Sequence, residues 1–168
     1  RALQCGYREY MNVTVDRITA ELNAHLRIEH GDTIVLHSSL KSIGYIEGGA
    51  EALIHGIMLA VDAPNRGTLM MPCFTDPSDV VDMQTASCRL GLVPETFRTH
   101  PGVVRSANVS HSVAVIGANA VALTNGHECI EPLGANSPFH RLAQIGGYVV
   151  HIGCTMKTSS IVHVAESL

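Results

Sequence analysis

The chain contains no tryptophan and only 4% aromatic residues, although 46% of its 168 residues are apolar. A core must therefore be assembled from Val, Ile, Leu, Ala and Met, which suits an α/β layered architecture better than a β-sandwich. At this length folding buries roughly 70% of the unfolded surface, enough for one domain with a real core. No run of 18 apolar residues occurs, so no transmembrane helix is expected, and the first 30 residues lack the charged start, apolar middle and cleavage site of a secretory leader. Basic charge is also scarce: 11 Lys and Arg stand against 15 Asp and Glu, for a formal charge of −4. Without a basic stripe to neutralise phosphates, a nucleic-acid partner is not expected, and a small or cationic ligand fits better.

Other absences concern motifs. The five cysteines, Cys5, Cys73, Cys88, Cys129 and Cys154, include no CxxC pair. They read as reduced thiols in a cytoplasmic protein. Neither GxGxxG nor GxxxxGK[ST] is present, which removes the dinucleotide and nucleotide-triphosphatase signatures, and HExxH is missing too. There is no internal repeat, low-complexity tract or linker, so residues 1–168 are expected to form a single domain.

What is present is an alternation of helical and strand patterns. Val15, Ile18, Leu22, Leu26 and Ile28 recur at helical spacing between Val13 and His30, with Thr14 or Asp16 as N-cap and Gly31 as stop. Thr33 to His37 is a short β-branched strand ending in Ser38-Ser39. A helix from Ala50 to Val61, opened by Gly48-Gly49, leads to a strand at Thr68 to Met71 that Pro72 stops. Strand, helix and strand in that order form the crossover unit of a parallel sheet. Cys73 to Asn108 carries Pro77, Pro94 and Pro101 and reads as a long irregular, functional segment. Further strands are expected at Ser112 to Ile116 and Gly147 to Gly153, with helices at Asn119 to Thr124, Ser137 to Ile145 and Ser159 to Leu168.

Ligands of open α/β sheets collect beyond the carboxyl ends of the strands, which directs attention to four loops. His37-Ser38-Ser39-Leu40 is a hydroxyl-rich turn suited to an extended amide-containing ligand, and reads equally as a helix cap. Gly48-Gly49 opens a helix whose amides and dipole can cradle phosphate, and also reads as a plain turn. Arg105-Ser106 with His111 joins a guanidinium suited to phosphate and an imidazole suited to proton transfer at a strand entry. His163 and Glu166 lie three apart on one helical face, as a proton-handling pair, as metal ligands together with His111, or as a helix-terminal hydrogen bond.

In their order along the chain these places resemble the aminoglycoside 3-N-acetyltransferase family. The matching segments are GDTIVLHSSLKSIG, GGAEALI, GTLMMPCFT, GLVPETFRTHPGVVRS, HSVAVIG, SPFHRL and HVAE, from Gly31 to Glu166. The resemblance implies a three-layer α/β/α fold with a mostly parallel central sheet, and an enzyme that uses acetyl-coenzyme A as cosubstrate, without a metal, to acetylate an aminoglycoside amine. By position, Ser38, Ser39 and Leu40 would line the pantetheine arm, and Gly48, Gly49, Arg105 and Ser106 would hold coenzyme phosphates. His111 would be the catalytic base, Glu166 its carboxylate and Ser160 an oxyanion donor, with Asp76 and His163 meeting the substrate. The family usually carries His-Pro where this chain has Asn108-Val109, and Asn-Thr where it has Ser159-Ser160. The chain begins with Arg rather than Met and so reads as an excerpt, and because family members generally continue for many tens of residues beyond the position of Glu166, the domain is expected to be shortened at its C-terminal side. Two rivals remain at this stage, a metal-dependent hydrolase built on His111, His163 and Glu166, and a catalytically silent coenzyme-binding module.

Overall fold

A computed structural model describes residues 13–76 and 82–168; Cys5 and Pro77 lie outside the described residues. The chain runs α1 (Val15–Leu26), β1 (Thr33–Ser38), α2 (Leu40–Ile43), α3 (Gly49–Val61), β2 (Thr68–Pro72), α4 (Leu92–Arg98), β3 (Val104–Arg105), β4 (Val113–Gly117), α5 (Ala120–Thr124), α6 (Pro138–Gln144), β5 (Tyr148–Ile152) and α7 (Ile161–Ser167).

The five strands form one sheet in the order β3-β4-β2-β1-β5. β1 pairs in parallel with β2 and with β5, as the crossover pattern requires. The other side of the sheet departs from that pattern: β4 is antiparallel to both β2 and β3. Its connection to β3, residues 106–112, is too short for the dozen or more residues of a parallel crossover, so the chain has to turn back.

Strand alternation sorts the core into two layers. Ile34, Leu36, Leu69, Met71, Ala114 and Ile116 face one way, against α1, α3 and α4. Val35, Met70, Val113 and Val115 face the other way, against Leu123 of α5, Phe139 and Leu142 of α6 and Val164 of α7. Because both faces are covered, β1 and β2 are almost continuously apolar. The result is the α/β/α sandwich expected above, parallel through its centre and antiparallel at one edge.

Thr14 caps α1, its hydroxyl accepting from the Arg17 amide at 3.3 Å. The helix ends at Leu26, well before the expected stop at Gly31, because Arg27 adopts a left-handed conformation (φ 55°). Ile28 is buried although it follows the helix, whereas Leu26 is exposed within it. The contact of α1 with α3 depends on Gly56: a Cβ there would sit 2.8 Å from the Ile18 Cβ, so only glycine lets the helices approach this closely. The Thr19 hydroxyl uses that proximity to donate to the Gly56 carbonyl at 2.9 Å.

Candidate active site

The parallel strands β1, β2 and β5 end on one edge, followed by Ser38-Ser39, Cys73–Asp76 and Gly153–Ser160. Because β4 runs the opposite way, its start lies beside the end of β2, with Val113 opposite Pro72. Reversal of a single strand thus delivers Ser110, His111 and Ser112 to the edge where ligands of parallel sheets bind.

A cleft of about 300 Å³ opens there, with His37, Ser38, Ser39, Phe74, Thr158 and Ser160 among its walls. It adjoins a groove of about 360 Å³ between Ser38–Lys41 and Leu90–Pro94; Ser38, Ser39, Leu90 and Pro94 belong to both. Ser38, Ser39, Leu40 and Ser160 are therefore brought together along one continuous depression. The Ser39 amide donates to the Ile152 carbonyl at 3.0 Å and its hydroxyl pairs with Ser42 at 2.9 Å, which anchors the turn to β5. Gly153 (φ 70°) makes that junction possible, since a Cβ on it would lie 2.6 Å from the Ser39 carbonyl oxygen.

His111 is half-buried, its ring tilted against Phe74 with centroids 4.4 Å apart. Burial first, then the charges of Arg89 and His163, push its pKa below the usual imidazole value. A neutral imidazole at neutral pH is the form able to accept a proton. The expected carboxylate partner goes elsewhere: Glu166 bonds the His163 Nδ1 at 2.8 Å, both side chains being exposed, while the His111 Nδ1 pairs with the Ser110 Oγ at 2.9 Å. Asp76 is highly exposed and paired with Arg89 at 3.3 Å.

Arg105 and Ser106 are not placed with Gly48 and Gly49. The two glycines sit at the start of α3; Gly48 borders a separate depression of about 360 Å³ with Glu51, His55 and His100. Arg105 instead donates from Nε to the Ser112 Oγ at 3.0 Å, from Nη1 to the carbonyls of Met83 (3.2 Å) and Ala86, and from Nη2 to the Cys73 carbonyl at 2.9 Å. Ser106 is fully buried, bonded to the His127 Nδ1 at 2.8 Å and accepting from the Val113 amide at 2.9 Å. Four of the five N–H donors of Arg105, and the Ser106 hydroxyl, are engaged by the protein's own backbone and side chains, which favours a structural role for both over phosphate binding.

Sequence reasoning overlooked His37. It stacks on its register partner His151 with centroids 5.1 Å apart, and the Nε2 atoms of both rings are buried without a partner. Burial, then the neighbouring His151, push the His37 pKa down to about 4. Two histidines at inward positions of otherwise apolar strands were the available signal, since buried polar groups need a reason. The unfolded chain takes up this proton below its ordinary value of 6.5, whereas the folded chain resists until about 4. The resulting stability is thus complete above 6.5 and is lost as the pH falls towards 4. Urea midpoints should drop across that window, with a smaller drop in His37→Asn; an equal slope in both proteins would contradict the assignment.

Among the described residues, no group of three or more His, Cys, Asp or Glu side chains could hold a metal ion. His111, His163 and Glu166 do not form one, so the hydrolase alternative loses its donor set. Cys73, Cys88, Cys129 and Cys154 are free thiols. Among the same residues, no helix is long and apolar enough to cross a membrane.

The fold defines a three-layer α/β/α protein with a cleft at its strand ends, lined by hydroxyls and by Phe74, against which the His111 ring packs. The chain belongs to the aminoglycoside 3-N-acetyltransferase family, whose sequence model matches residues 35–168. It is 34% identical to aminoglycoside N(3)-acetyltransferase VII of Streptomyces paromomycinus over 93% of this chain and 61% of the relative. The crystal structure of aminoglycoside acetyltransferase AAC(3)-Xa superposes with a TM-score of 0.85 at 35% identity, covering 94% of this chain and 62% of that one. A binary complex of AAC-IIIb with CoASH gives a TM-score of 0.83 at 28% identity, covering 94% of this chain and 66% of that one. The chain spans about three fifths of the length of the curated relatives it matches.

Proposed function

We propose that the protein transfers the acetyl group of acetyl-coenzyme A to the 3-amino group of an aminoglycoside, in the cytoplasm, where its cysteines stay reduced. The observation that carries this reading is the continuous depression from Leu40 and Ser39 to Ser160, with the neutral His111 imidazole beside it on Phe74. The names of the curated relatives support the acceptor, and the CoASH complex of AAC-IIIb supports the donor.

Ser38, Ser39 and Leu40 hold the pantetheine arm along the groove, so the thioester arrives near Ser160. The substrate amine attacks the thioester carbonyl carbon, forming the C–N bond while the His111 Nε2 takes the amine proton. The Ser160 hydroxyl, buried at the cleft wall, or a backbone amide of the turn before α7 donates to the oxyanion. Collapse of the tetrahedral intermediate breaks the C–S bond, and the departing thiolate takes the proton back from His111. The ring ends neutral, ready for the next turnover. The exposed carboxylates of Asp76 and Glu166 suit a polycationic acceptor.

The test is release of free thiol from acetyl-coenzyme A with a panel of aminoglycosides that carry or lack the 3-amino group. Release is expected only with acceptors bearing it. Coenzyme binding without release from any acceptor would instead assign a silent coenzyme-binding module.

A further inference from the structure

The His111 ring needs one defined tautomer to act as a base, because only an unprotonated nitrogen accepts a proton and the two ring nitrogens are not equivalent. Its neighbours settle which nitrogen that is. Asn108 is buried, and its Oδ1 lies 3.1 Å from the Ser110 amide nitrogen and 2.9 Å from the His111 amide nitrogen. Two backbone N–H groups aimed at one atom require that atom to be the amide oxygen. The other side agrees, since Nδ2 donates to the His127 carbonyl at 3.4 Å. The orientation of the Asn108 amide is thereby fixed.

The Ser110 hydroxyl lies 3.1 Å from the same Asn108 Oδ1, which can only accept, so the single hydroxyl proton points at it. The His111 Nδ1, 2.9 Å from the Ser110 Oγ, then faces an oxygen lone pair and must itself carry a proton. From these contacts we infer that Asn108 and Ser110 are positioning residues that hold His111 as its Nδ1–H tautomer and leave the Nε2 lone pair free to accept the substrate proton. The relay runs from the His111 Nδ1–H to the Ser110 Oγ, and from the Ser110 O–H to the Asn108 Oδ1. It does for this ring what a carboxylate does elsewhere, without adding a negative charge that would raise the imidazole pKa. Asn108 is one of the chain's departures from the usual family pattern, so the device is a property of this sequence.

The inference rests on the base role proposed for His111, but the tautomer can be read without it. Long-range proton–nitrogen NMR correlations on the full chain distinguish Nδ1–H from Nε2–H for each histidine, and His111→Gln assigns the signal. The wild-type protein is expected to show Nδ1–H at His111. Ser110→Ala keeps the Asn108 bonds to both backbone amides and removes only the middle of the relay. It is expected to shift the ring towards Nε2–H and to lower kcat on the order of 10-fold, with KM for acetyl-coenzyme A unchanged. Ser110→Thr, which keeps a hydroxyl, should restore the tautomer and bring kcat within about threefold of wild type. An Nε2–H signal in the wild type, a Ser110→Ala ring still held as Nδ1–H, or a tautomer shift with kcat intact would each overturn the inference. Full activity in His111→Ala would remove the base role while leaving the tautomer result standing.

Discussion

His111→Ala should lower kcat by about 10²–10⁴-fold, the usual contribution of a positioned general base, while leaving acetyl-coenzyme A affinity within about twofold of wild type. The expectation follows from where the residue stands. Its backbone is held by Asn108 and its ring by Phe74 and Ser110, so truncation removes the proton acceptor without disturbing the Ser38–Leu40 groove that would hold the coenzyme. His163→Ala is the comparison that gives the number meaning. His163 is exposed and bonded to Glu166, and its charge is felt at His111. Its loss should cost less than that of His111. The reverse order, with His163→Ala inactive and His111→Ala active, would move the base to the His163–Glu166 pair. Titrating kcat/KM adds a second check. Because burial depresses the His111 pKa, the acid limb of the profile should lie below the ordinary imidazole value.

The second large effect is on stability. Arg105→Gln should destabilise the fold by about 2–4 kcal/mol, because the carbonyls of Met83 and Ala86 lose their side-chain donor at once and that of Cys73 keeps only the Ser112 hydroxyl. Loss of the Arg105 guanidinium also removes the Nε donor to the Ser112 Oγ, so the junction between β2 and β4 is left with the bonds between Ser112 and Cys73 alone. A phosphate-binding arginine behaves in the opposite way. Its loss would leave the unfolding midpoint alone and weaken coenzyme binding about 10-fold or more. Chemical denaturation and coenzyme titration on the same variant separate the two cases. A wild-type midpoint with weakened binding would restore Arg105 to the phosphate site.

Elements with strong periodicity were legible in the sequence. The β-branched run at Ile34-Val35 and the broad apolar face of α3 both appear within a residue or two of where the structure puts them. Others were hidden for identifiable reasons. α4 is only seven residues long and carries Pro94, a residue that reads as a breaker yet is tolerated in the first helical turn. The end of α1 was misplaced because Ile28 continues the helical spacing after Arg27 has already turned the backbone away. The direction of β4, unlike that of β1 and β2, was invisible. Val113 to Ile116 alternates in the same way whether β4 runs with its neighbour or against it.

The site was legible as a set of loops and illegible as a set of bonds. Spacing alone puts His163 near Glu166, and the structure agrees. The partners of His111 depend on a three-residue turn whose controlling atom, the Asn108 Oδ1, acts through two backbone amides and a hydroxyl. Arg105 was read from its chemistry, which fits phosphate, whereas its neighbours in space are carbonyls from residues 19 to 32 positions away in sequence. No local pattern carries that information.

The antiparallel pairing of β2 with β4 has a bearing on how the reactive geometry is protected. Val113 and Val115 are fully buried on one face of β4, a pair of equal size, and Ala114 and Ile116 are buried on the other, one small and one large. Sliding the strand by one residue would carry His111 about 3.4 Å along the sheet and would also exchange those two sets of side chains between layers that cannot accommodate them. The hydrophobic interior therefore works as a ratchet pawl for the base proposed above it: a slip of β4 along its neighbours must first unpack the core.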